Sequence, residues 1–235
     1  FGEDRLLGGV HAEHGPFFES LDVGLYALGQ TASGLLDRAA VGGELRLFRP
    51  GWYGALFFDY DFHFQDLNVV QFTGSWQAGP STTLTALADY RNSPFLTLRN
   101  ALQGQSGGLD ALQNLFSDSQ IESMARDRTG RVTTFDVGLS QVLLPRLQLA
   151  LDFTASDFSG TDGSSGVQGF DGTGWEYSPS AQLIANDLLQ AGDVGVASLR
   201  YFTRQASDVV SIGLQAREPA TQGLRLNARF FPLYR

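Results

Sequence analysis

The sequence predicts an all-β fold, a closed antiparallel transmembrane β-barrel of about twelve strands. Three observations lead there. Apolar and polar residues alternate with period two along most of the chain, which sends them to opposite faces of a strand. Many alternating segments reach the roughly 9–11 residues that a tilted strand needs to cross a bilayer. Hydrophobic residues make up 43% of the chain, yet no run of about 18 apolar residues occurs, so an ordinary spanning helix is excluded.

The segments fall near 5–13, 17–29, 38–48, 52–64, 67–78, 81–91, 131–143, 146–158, 175–187, 193–204, 208–217 and 223–234. In the fourth, Trp52, Gly54, Leu56, Phe58, Tyr60, Phe62 and Phe64 form one face, and Tyr53, Ala55, Phe57, Asp59, Asp61 and His63 form the other. In the eighth, Leu147, Leu149, Leu151 and Phe153 alternate with Gln148, Ala150, Asp152 and Thr154. A soluble sandwich or lipocalin-like barrel also alternates. Twelve strands, however, would enclose more volume than Gly, Ala and Leu can fill. Charge on the opposite face suits a polar lumen. The lumen charge walls are Asp59, Asp61, Asp89, Asp136 and Asp152 on one side and Arg200, Arg217, Arg225 and Arg229 on the other. They would either orient a polar solute or pair to hold the barrel shut. Trp52, Phe62, Phe64, Trp76, Tyr90, Tyr177 and Tyr201 lie near strand ends, as in interfacial girdles.

Gly and Pro mark tight connections at 49–51, 78–81, 144–146 and 218–222. Two connections are long, 92–130 and 159–174. The first carries Phe95, Leu98, Asn100 and Leu102, then Leu109, Leu112, Leu115 and Phe116 at helical spacing. Ser117 and Gln120 offer a capping box. A short helical insert is expected at about 106–127, serving as a plug, gate or docking element, or as an amphipathic cap on the rim. An even barrel puts both termini on the side of the long connections, so the insert is expected on the periplasmic side. The 159–174 stretch is Gly-rich and acidic and reads as a flexible loop. Asp162 and Asp171 lack a full calcium ligand set.

The 235 residues read as a single domain, 1–235. Cys is absent and the net charge is −9, which removes thiolate metal sites and argues against a nucleic-acid partner. The chain starts without Met or a signal peptide. Either a leader has been removed or the chain is part of a longer protein.

Residues 89–105, Asp-Tyr-Arg-Asn-Ser-Pro-Phe-Leu-Thr-Leu-Arg-Asn-Ala-Leu-Gln-Gly-Gln, are followed by a short helical stretch, Ala125-Arg-Asp-Arg128, and strands to the end. This order resembles the C-terminal barrel of proteobacterial outer-membrane proteins that carry periplasmic tetratricopeptide repeats. The resemblance covers about the last two thirds of the chain. It implies an outer membrane of Gram-negative type, the lipid bilayer and a periplasmic repeat domain or other envelope proteins as partners, and export or surface assembly.

The only histidines available are His11, His14 and His63. His63 lies beside Asp61, with Ser75 on the next strand, but no nucleophile motif is present. His11 and His14 are expected in a turn, and two ligands do not make a structural metal site. No cofactor and no catalytic activity are expected. The expected role is a porin-like pore or export channel for a polar substrate. The alternatives are a structural anchor with a plugged lumen and, more remotely, an outer-membrane enzyme.

Overall fold

The computed structural model describes residues 4–187, 190–204, 207–221 and 224–234. The alternating segments form long strands: β1 (Arg5–Phe17), β2 (Leu21–Ala32), β3 (Leu35–Arg49), β4 (Trp52–Asp61), β5 (Asp66–Gly79), β6 (Thr82–Ser93), β7 (Gly130–Leu144) and β8 (Leu147–Phe158). Two short strands follow, β9 (Gly160–Thr161) and β10 (Phe170–Asp171). Then come β11 (Glu176–Asn186), β12 (Val194–Arg204), β13 (Ser207–Thr221), β14 (Leu224–Phe230) and β15 (Leu233–Tyr234).

One antiparallel sheet of 13 strands results, in the order β1 to β8 and then β11 to β14, with β15 paired to β13. Each of the twelve long strands pairs with its neighbour in this sequence, so the sheet is a meander built from hairpins. Among the described residues β1 pairs only with β2, and β14 only with β13. The first segment is a full strand of 13 residues. His11 and His14 therefore lie within a strand rather than in the expected turn, because the alternation continues past them to Phe17.

Turn chemistry follows the sequence. Ser33 and Gly34, between β2 and β3, both take positive φ (48° and 79°), the pattern of a two-residue hairpin turn whose twist matches its strands. Pro50-Gly51 joins β3 to β4, with Gly51 at φ 76°. Pro80-Ser81 and Pro145-Arg146 serve the next two hairpins at that end.

The chain divides into two compact units. The first holds Phe1–Thr73, Ala88–Thr134 and Asp157–Gly174, and the second holds Gly74–Leu87, Phe135–Ser156 and Trp175–Arg235. The largest buried apolar cluster belongs to the first unit and lies under the insert between β6 and β7. That insert is a 3₁₀ turn (Leu98–Leu102), α1 (Leu109–Gln113) and α2 (Asp118–Asp127). No helix of the described residues is long and apolar enough to cross a membrane.

Residues 159–174 are not the flexible loop that their composition implies. β9 and β10 pair, and Ser164 and Val167 bridge beyond them. The glycines are the reason. A Cβ on Gly160, Gly169 or Gly172 would run into facing backbone atoms, so glycine is what allows the two arms to approach.

Candidate functional site

Each unit has its own candidate region: in the first, the polar face with the helical insert, and in the second, the polar face alone. In the first unit the face is built across β2, β3 and β4. Register sets Gly42 opposite both Tyr26 and Asp59, and Ala40 opposite Asp61. The ring of Tyr26 lies where a Gly42 side chain would be, and its hydroxyl donates to Asp59 Oδ2 at 2.5 Å. Arg38 donates to Asp59 Oδ1 at 2.6 Å and to Asp61 Oδ2 at 3.2 Å. Both carboxylates are buried. Asp61 Oδ1 also accepts from the backbone N–H groups of His63 and Phe64, which closes the turn into β5. Asp59 and Asp61 are therefore not a bare acidic wall. Their counter-charge comes from Arg38 on the adjacent strand, a residue the sequence analysis does not select. Asp89 is likewise paired, accepting from Arg91 Nε at 2.6 Å.

A bulge supplies the next group. Gln30 pairs with Arg38 and Thr31 with Leu36, so Asp37 is the extra residue of β3. Asp37 is fully buried and accepts from the Leu98 backbone N–H at 2.7 Å, from Gln30 Nε2 and from Arg5 at 3.4 Å. A single carboxylate thus ties the start of β1, the second strand and the insert together. Nothing in a period-two pattern announces such a bulge.

The insert is anchored by buried polar contacts as much as by its apolar residues. Leu98, Leu109 and Leu112 are buried, with Leu102 and Phe116 packed at the edge of the same cluster. Asn100 is buried and donates to the Phe95 carbonyl and to Thr129. Phe95 itself is exposed and lies beneath the Arg38 guanidinium, 5.6 Å from ring centroid to Cζ. Asn68 accepts from the Leu96 N–H at 2.9 Å and from Asn92 at 3.1 Å. Arg128, only 3% exposed, donates to the carbonyls of Ala101, Gln103 and Ser164. Burial lowers its pKa from the ordinary value, with Asp127 opposing, and the group stays charged. The Ser117 N–H donates to Gln120 Oε1 at 2.9 Å at the start of α2 and the Ser117 side chain accepts from the Gln120 backbone, the reciprocal cap expected there. His63 faces this helix, with Nε2 3.5 Å from Glu122 Oε1.

In the second unit the polar face is a field of hydroxyls and amides with few charges. Ser180 stands in register between Asp152 and Arg200, and Gln182 between Ala150 and Ser198. Thr154 donates to Asp136 at 2.7 Å and Gln148 to Ser140 at 2.6 Å. Thr85, Ser140, Asp152, Ser180, Gln182 and Arg200 line a concavity of about 330 Å³. Arg217 and Arg229 continue the same face by register, opposite Asn227 and Gln215. The Arg225 side chain lies outside the described residues.

The opposite face is apolar and exposed. Phe135, Val137, Leu151, Phe153, Leu183, Leu199, Ile212 and Leu214 are all open to the surroundings. Trp52, Phe62, Trp76 and Tyr177 share this exposure, while Tyr90 and Tyr201 are half-buried. Phe153 stacks on Tyr177 and Phe135 on Trp175, with centroids 6.1 and 6.0 Å apart. Phe64 is a correction. It is 0% exposed, because β4 ends at Asp61 and the turn carries the ring into the cluster under α2. It therefore cannot belong to an interfacial girdle.

One grouping escapes a reading by linear spacing. In β1 to β3 the register runs Glu13, Gly24, Glu44 in one row, with His11 one pleat away. The ligand atoms of His11, Glu13 and Glu44 lie within 4.8 Å of one another. Arg46 contacts Glu13 and lies 3.3 Å from Glu44. The chain matches no protein-family model and no curated protein.

Proposed function

We propose that this chain is the membrane-spanning part of an outer-membrane protein of Gram-negative type, a closed β-barrel passing a polar substrate as a pore or export channel within a larger envelope assembly. The observation that carries this reading is the two-faced sheet. Strands of 10–15 residues present exposed Leu, Val, Ile and Phe on one face and Ser, Thr, Gln, Asp and Arg on the other. Such a sheet would be insoluble with its apolar face in water, and a bilayer satisfies it. In lipid every backbone group needs a partner, so the reading requires the outer edges of β1 and β14 to join.

The Asp152–Ser180–Arg200 row and its concavity support passage of a polar, uncharged or zwitterionic solute. The start of β1 is held beside the insert through Asp37. Because termini of such barrels are normally periplasmic, this contact supports a periplasmic insert, the side on which the resemblance to repeat-bearing envelope proteins implies an assembly partner. The Arg38 pairs and the firmly packed insert favour a second reading, a structural anchor with a closed lumen.

Planar-bilayer recording of the refolded protein tests the proposal. Stepwise current whose ion selectivity shifts in Arg200→Gln is the expected result. Persistent silence from folded protein supports the anchor. Failure to enter liposomes, with a folded soluble protein instead, overturns the membrane assignment itself.

A further inference from the structure

We propose that His11, Glu13 and Glu44 form a site for a divalent transition-metal ion of zinc type, on the polar face of β1 to β3. The donors are of the right class, since zinc is bound by imidazole nitrogen and carboxylate oxygen. Their ligand atoms converge within 4.8 Å, and they come from two strands separated by a third. Glu13 and Glu44 are the two neighbours of Gly24 across the sheet.

Gly24 is what makes the convergence possible. A Cβ there would sit 3.0 Å from Glu44 Cγ, 3.1 Å from Glu44 Oε1 and 3.3 Å from His11 Nε2. Glu44 and His11 therefore lean over the one residue of the row that has no side chain. Ordinary ion pairing of Arg46 with Glu13 on β1 and with Glu44 on its own strand does not require this, because the guanidinium reaches both from its position on β3.

The charge is also incomplete. Two carboxylates face one guanidinium, leaving net negative charge beside an imidazole nitrogen. Arg46 is then the competitor of the metal rather than its replacement. Its Nε is buried without a hydrogen-bond partner, so it is an imperfectly satisfied counter-ion. The site ties the first strand of the sheet to the third. A metal there would clamp the edge strand without any contribution from the insert.

Cobalt(II) is the probe, added to the full chain refolded in detergent and followed by its visible absorption, with zinc(II) used to displace it. The expected result is one ion per chain, with affinity falling by at least about tenfold in His11→Ala and in Gly24→Ala and rising in Arg46→Gln. Gly24→Ala leaves every donor in place, so its effect reports the cradle. Circular dichroism and electrophoretic mobility of the unheated protein establish folding for each variant. Uptake by wild type no greater than by His11→Ala overturns the proposal. Uptake by Arg46→Gln alone also overturns it, since the guanidinium is then the native cation. The assay reads the metal and not conductance, so its outcome is independent of whether the barrel conducts.

Discussion

At the scale of single residues, the groups that matter most are buried charges that hold backbone groups of the insert. Asp37 holds the Leu98 N–H at 2.7 Å, and both residues are buried. Replacing it with Ala leaves that N–H unmatched, a loss of about 1–3 kcal/mol. The expected outcome is faster amide exchange at Leu98 and a lower unfolding midpoint in detergent. Arg128 is the converse case. Its guanidinium donates to three backbone carbonyls, those of Ala101, Gln103 and Ser164. Arg128→Met keeps the bulk and removes the donors. Hydrogen bonds to a charged group are worth about 1.5–3 kcal/mol, so a destabilisation of that order is expected. Limited proteolysis should then cut within 103–108 and 162–168, the segments those carbonyls tether. Arg128 stands inside the stretch on which the family resemblance rests, as do Asn92 and Asn100. Their buried contacts give that motif a physical meaning: it fastens the insert to the sheet.

At the scale of elements, Arg38 joins β3 to β4. Removing it strands two buried carboxylates, and breaking a buried pair by losing one partner typically costs about 3–5 kcal/mol. Arg38→Gln should show that loss in urea unfolding, while Asp59→Asn in the same background should restore part of it. The β9–β10 hairpin gives a finer comparison. Gly160 and Gly166 both take positive φ (77° and 81°), but only Gly160 lacks room for a Cβ. Gly166→Ala should cost roughly 1 kcal/mol, from backbone conformation alone. Gly160→Ala should cost more and open the hairpin, seen as loss of amide protection at Phe170. These elements also show how far the sequence could be read. Alternation marks the twelve long strands, because facing sides and turns obey local rules. The bulge at Asp37, the burial of Phe64 and the pairing within 159–174 depend on register and on what packs from elsewhere in the chain. Local pattern carries neither. The same holds for His11, Glu13 and Glu44: spacing put His11 in a turn, and only the register through Gly24 gathers the three.

At the scale of the whole molecule, the question is what the insert does to passage. Most of its apolar residues are committed to a cluster with Ala32 and Phe64, its Leu96 and Leu98 N–H groups donate to Asn68 and Asp37, and Asn100 donates to Thr129. Each buried Leu or Ile contributes about 1.5–3 kcal/mol, so this cap does not swing as a unit on thermal energy alone. A gate would need a hinge, whereas both ends of the insert run directly into strands, β6 at Ser93 and β7 at Gly130. The insert is therefore expected to behave as a fixed cap. Replacing 95–129 with a short Gly-Ser linker should leave the strands intact, because no ladder pairing passes through it. If the cap obstructs the lumen, conductance should rise from silence or brief openings to a steady level. If it is only a docking platform, conductance should stay as in wild type while binding to the proposed periplasmic partner is lost. Protease added outside intact cells distinguishes its side. Protection of 95–129 there, with cleavage only after the outer membrane is permeabilised, is the outcome expected of a periplasmic cap. Cleavage in intact cells would reverse the topology and with it the role assigned to the insert.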